Sequence, residues 1–121
     1  MSRWLSGVAA AALVLASAAP ASAHALLRKA IPGVGSTVHT PPTEIRIIYS
    51  EGVEPSLSSI VVRDAAGAEV DSGGARTAPD NQKELIVGLK TLAAGTYTVE
   101  WHVTSVDTHK TDGRFSFSVA P

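Results

Sequence analysis

From residue 24 onward, apolar and polar residues alternate in short runs separated by turn-forming residues. Glu44-Ile45-Arg46-Ile47-Ile48-Tyr49 follows Pro41-Pro42 and is rich in the β-branched and aromatic side chains that suit a pleated surface. Tyr97-Thr98-Val99-Glu100-Trp101-His102-Val103 alternates after Gly95, and Arg114-Phe115-Ser116-Phe117-Ser118-Val119 alternates again. Leu57 to Arg63 is another such run, closed by the turn-like Asp64-Ala65-Ala66-Gly67. Glu69-Val70-Asp71 forms a brief segment before Gly73-Gly74, and Glu84 to Val87 follows the loop Thr77-Ala78-Pro79-Asp80-Asn81. With Ala25 to Ile31, these make about seven strands, with no convincing helical period and no internal repeat. The pattern predicts an all-β fold, a seven-stranded antiparallel Greek-key sandwich or barrel of immunoglobulin-like size.

The first 23 residues read differently. Met1-Ser2-Arg3 is a short basic start, Val8 to Ala19 is almost wholly Ala, Leu and Val, and Pro20 precedes Ala21-Ser22-Ala23. A charged start, an apolar run and small residues at the end form the pattern of a secretory signal peptide over residues 1–23. The run is shorter than the roughly 20 apolar residues of a spanning helix. An uncleaved N-terminal anchor is the alternative reading. This leader raises the 45% hydrophobic content of the 121 residues: 16 of its 23 residues are hydrophobic. Residues 24–121 then form one exported domain, placed in the periplasm or in the extracellular or cell-envelope space. A chain of that size buries about two thirds of its unfolded surface, enough for a core without disulfides.

Composition removes several classes of chemistry. Cysteine is absent and Met1 is the sole methionine, so neither thiolate nor thioether ligands are available to the mature chain. Ten Lys/Arg stand against eleven Asp/Glu, which offers no basic surface for nucleic acid. No nucleophile elbow or Ser/His/Asp arrangement marks a hydrolase.

What remains is histidine and carboxylate. Cleavage after Ala23 makes His24 the first residue, with a free α-amino group beside its imidazole. The amine and Nδ1 of one histidine close a six-membered chelate ring on a metal ion. Asp107 and His109, two apart, present a carboxylate and an imidazole to one face if their segment is extended. Should the fold bring the N-terminus against that segment, one ion meets three nitrogens and one oxygen. Tetragonal N/O sites suit Cu(II), which heads the divalent affinity order, whereas Zn(II) prefers a tetrahedral set. The blander readings are a protease-defined first residue at His24, a turn-forming Asp107 and a solvated loop His109. His102 reads as an exposed strand residue and His39 as surface, with Trp101, Phe115 and Phe117 as packing residues.

Taken together, several stretches resemble the CopC-type copper-binding proteins of bacterial copper resistance. They are the leader junction with His24-Ala25-Leu26-Leu27, Pro32-Gly33, Pro42, Tyr49-Ser50-Glu51, Gly95 to Trp101, Ser105-Val106-Asp107-Thr108-His109 and Gly113 to Val119. The resemblance implies a Cu(II) site with His24, Asp107 and His109 as ligands. It also implies an acidic residue near the copper at Glu51, read either as an acceptor orienting an imidazole N–H or as an ordinary surface carboxylate. A monomer that captures Cu(II) for resistance, sequestration or delivery to a CopD-like membrane transporter is the implied function, with binding rather than turnover. Some family members add a methionine-rich loop suited to Cu(I), which this chain lacks. A competing enzymatic reading rests on a likeness to the histidine brace of lytic polysaccharide monooxygenases, which would use His24 and His109 to activate oxygen or peroxide. Those enzymes are usually larger, and Asp107 would fill a position that oxygen chemistry needs open.

Overall fold

In the computed structural model, residues 25–121 are described; the expected leader and His24 lie outside the described residues. Eight strands occur among the described residues: β1 (Leu27–Ile31), β2 (Thr37–Val38), β3 (Glu44–Tyr49), β4 (Ser59–Arg63), β5 (Arg76–Ala78), β6 (Asn81–Gly88), β7 (Gly95–Thr104) and β8 (Lys110–Val119). They form two four-stranded sheets, ordered β1-β3-β6-β5 and β2-β8-β7-β4. The all-β sandwich expected from the alternation is therefore present, with eight strands instead of seven. All pairings but one are antiparallel; β2 runs parallel to β8, with Thr37 opposite Ser118 and Val38 opposite Val119.

The differences in strand count have local causes. The two residues of β2 and the three of β5 are too short to carry a readable alternation. Glu69-Val70-Asp71 is not a strand but makes isolated bridges, Glu69 with Arg63 and Asp71 with Leu89. There the buried Asp71 side chain replaces part of a backbone ladder, accepting the Val62 N–H at 2.8 Å and the Gly73 N–H at 3.0 Å. Leu57 belongs to a one-turn 3-10 helix, Pro55–Leu57, and β4 begins only at Ser59. Proline at the first helical position favours that turn, since its missing N–H has no partner to lose. β6 starts at Asn81, earlier than its apolar run suggests.

Strand alternation puts Ile45, Ile47 and Tyr49 of β3 inward against Val99, Trp101 and Val103 of β7 and Phe115 and Phe117 of β8, all in one buried cluster. Leu85, Ile86 and Val87 are all buried; Ile86 faces outward, flanked in register by Arg46 and Arg76. Tyr97 stacks on Phe117 with ring centroids 5.5 Å apart, and Tyr49 meets Trp101 edge-on at 5.2 Å. Trp101 lies directly over Gly113, its cross-strand partner. A β-carbon on Gly113 would sit 2.4 Å from the indole Cζ2, so the glycine is required for room. The long β7–β8 hairpin thus has a fixed inner face, and its connecting loop is held at one end of the sandwich.

Candidate metal centre

Residues 105–109 connect β7 to β8, with Ser105 and His109 closing the three-residue turn Val106-Asp107-Thr108. Ser105 N–H donates to the His109 carbonyl and Thr108 N–H to the Ser105 carbonyl, both at 2.8 Å. Thr108 has φ 73°, the left-handed conformation that ends a three-residue hairpin loop and that usually falls to Gly or Asn. A β-branched residue there is strained, at a cost of about 1–3 kcal/mol that the surrounding hydrogen bonds must sustain. The turn, rather than the strand alternation expected from sequence, brings Asp107 and His109 together. His109 Nδ1 lies 3.3 Å from Asp107 Oδ1, and the two side chains are 48% and 41% exposed. The Ser105 hydroxyl, hydrogen-bonded to Asp107 Oδ1, holds that carboxyl below the usual carboxylate range; desolvation opposes the shift and His109 adds to it.

Two other segments meet this loop. Val106 N–H donates to the Gly52 carbonyl at 3.0 Å, and Val53 bridges Ser105. Glu51 precedes this contact. Its Oε2 is buried and has no hydrogen-bond partner among the described residues, an unusual state for a carboxylate oxygen. The second segment is the start of the described chain. Ala25 is fully buried, and its carbonyl accepts the Thr111 hydroxyl at 2.7 Å. Leu26 N–H donates to Ser50 Oγ at 2.9 Å, while Ser50 N–H donates to the Leu26 carbonyl at 2.8 Å. Residues 25 and 26 are therefore clamped between Ser50, next to Glu51, and Thr111, two residues from His109.

Of the residues picked out by sequence, Asp107 and His109 are brought together, Glu51 adjoins their loop, and His24 lies outside the described residues. His102 is exposed on β7 opposite Asp112, and the Nδ1–H of His39 donates to the Ala120 carbonyl at 2.9 Å. Neither joins the pair. Among the described residues no group of three or more His, Cys, Asp or Glu is placed to hold a metal ion. Asp107 and His109 stand there as a pair, one carboxylate and one imidazole. Sequence reasoning quotes Ser105 within the Asp107–His109 stretch without giving it a role, and passes over Thr111. Ser105 at two residues before an aspartate is a weak local signal, whereas the Thr111 contact spans 86 positions and leaves none.

Residues 27–120 match the CopC domain. The chain belongs to the CopC domain family. Over 98 residues it is 41% identical to Protein YobA of Escherichia coli strain K12, covering 80% of this chain and 79% of that protein. Copper resistance protein C of Xanthomonas campestris pv. juglandis is 36% identical over 115 residues, covering 88% of this chain and 90% of the relative. The crystal structure of CopC from Methylosinus trichosporium OB3b superposes with a TM-score of 0.76 at 35% identity, covering 81% of this chain and 95% of that one. In this CopC domain, no helix among the described residues is long and apolar enough to cross a membrane.

Proposed function

We propose that this protein is an exported copper-binding protein that captures Cu(II) outside the cytoplasm. Residues 1–23 act as the export signal, and their removal creates the N-terminal ligand His24. Asp107 and His109 complete the site. The captured ion is held for copper resistance or sequestration, or handed to a CopD-like membrane transporter. The chain works as a monomer that binds without turnover.

The observation that carries this reading is the Asp107–His109 pair at 3.3 Å, on a loop that adjoins the clamped Ala25 corner. Nitrogen and oxygen donors bound side by side at about 2.0 Å from one ion stand roughly 3 Å apart, so the pair is already near the required span. The peptide bond to Ala25 ties His24 to the same corner within about 3.8 Å of Cα–Cα reach. The amine and imidazole of His24 would then add two nitrogens to the set. Hard oxygen and imidazole donors, with no thiol or thioether in the mature chain, favour Cu(II) over Cu(I). The buried, unpartnered oxygen of Glu51 supports a role for that carboxylate as acceptor for the outward N–H of a copper-bound imidazole. Each nitrogen must shed its proton to bind, so affinity rises with pH.

Equilibrium Cu(II) titration of the chain beginning at His24, beside its Asp107→Ala and His109→Ala variants, tests the assignment. Each variant is expected to bind at least tenfold more weakly. Unchanged affinity in both overturns it.

A further inference from the structure

We infer that Ser105 is a positioning residue that sets the Asp107–His109 pair in its ion-binding arrangement before any ion arrives. This rests on the copper reading above and adds a residue to it. Ser105 is fully buried beneath two exposed side chains. Its backbone closes the loop in both directions, donating to the His109 carbonyl and accepting from Thr108 N–H, each at 2.8 Å. Its hydroxyl oxygen accepts the His109 N–H at 3.2 Å. The single hydroxyl proton has two candidate acceptors, Asp107 Oδ1 and the His109 carbonyl at 3.3 Å. That carbonyl already receives the closer Ser105 N–H, so the proton goes to Asp107.

Consequently one side chain grips both members of the pair: the carboxylate of Asp107 through Oδ1, and His109 through its backbone. Oδ1 is committed on one side to the serine, which fixes the direction in which the carboxylate faces the imidazole. Ser105 is itself anchored, because it directly follows β7 of one sheet and bridges Val53, which follows β3 of the other. Asp107 and His109 are half-exposed side chains on a strained turn, and ordering them beforehand spares that entropy cost when the ion binds. Residues that orient metal ligands by hydrogen bonding typically change affinity by about 10–100-fold when removed.

The test compares Ser105→Ala, Ser105→Thr and Asp107→Ala with the unaltered chain starting at His24. Its readouts are Cu(II) affinity, the Cu(II) electron paramagnetic resonance spectrum and thermal unfolding of the metal-free protein. Ser105→Ala is expected to fold, to bind Cu(II) about 10–100-fold more weakly and to show an altered spectrum, whereas Ser105→Thr restores affinity through its hydroxyl. A folded Ser105→Ala protein with unaltered affinity and spectrum, while Asp107→Ala loses binding, overturns the positioning role and leaves the copper site standing. Equal Cu(II) binding by the unaltered chain and Asp107→Ala overturns Asp107 as a ligand, and with it the positioning role of Ser105, and unmeasurable binding by the unaltered chain overturns the copper reading itself. A measurement without mutation guards against misfolding: three-bond couplings in the metal-free protein should show one χ1 rotamer each for Asp107 and His109. Averaging over rotamers contradicts the inference.

Discussion

The hydroxyl of Thr111 donates to the carbonyl of Ala25 across 2.7 Å, joining the second residue of β8 to the first described residue of the chain. This contact holds the N-terminal corner beside the β7–β8 loop. Thr111→Val keeps the shape and removes the donor, leaving a buried carbonyl without its partner. The metal-free protein should lose about 1–2 kcal/mol in urea unfolding. If His24 is a ligand as proposed, Cu(II) affinity should also fall several-fold, because the chain that carries it is no longer held in place. Stability loss without any change in affinity would separate this hydrogen bond from the metal site.

Beneath the loop, packing leaves little tolerance. Gly113→Ala places a methyl group within 2.4 Å of the Trp101 indole, and neither strand can yield without disturbing the β7–β8 ladder. Overpacking of this kind should destabilise the fold by about 2–3 kcal/mol. The two tryptophans are Trp4 and Trp101, so fluorescence of a chain starting at His24 reports Trp101 alone. A shifted emission maximum together with a lower melting temperature is expected; a native-like melting temperature contradicts the close approach.

On the outer face of the same sheet, Glu100 Oε2 accepts from Arg114 Nη2 at 2.6 Å and Oε1 lies 3.6 Å from Arg63 Nε. The Arg114 hydrogen bond is the main cause of a carboxyl held below its ordinary value, with Arg63 contributing charge. A lowered folded-state value means that the group stabilises the fold above the unfolded carboxylate range, near pH 4.3, and loses that effect as the pH falls through the folded value. Glu100→Gln should therefore lower the melting temperature at pH 7, with the difference closing in acid and shrinking in high salt. A difference that persists unchanged at pH 2 contradicts the ion-pair account.

Much of the sandwich was legible because its long strands bury one face. β3, β7 and β8 carry alternation over six to ten residues, which a one-residue slip would expose to water. β2 and β5 are specified by neighbours in space, and Asp71 disguises a side-chain-capped crossing as a strand. At the site, the Asp107–His109 pairing was expected for the wrong local reason. Alternation would put the two side chains on one face of a strand, whereas a left-handed Thr108 folds them together in a turn. Ser105 and Thr111 act through contacts that only the closed hairpin creates. The resemblance to CopC proteins supplied Glu51, and its buried oxygen is a structural fact that no alternation pattern encodes.

In the proposed site, His24 binds Cu(II) through its own α-amino group as well as its imidazole. Equilibrium Cu(II) affinity should be measured for the chain beginning at His24 and for the same chain with one glycine added before it. The extra residue turns the amine of His24 into an amide and removes the chelate ring while leaving Asp107 and His109 untouched. The extended chain is expected to lose a large part of the affinity. Equal, tight binding by both proteins would contradict it.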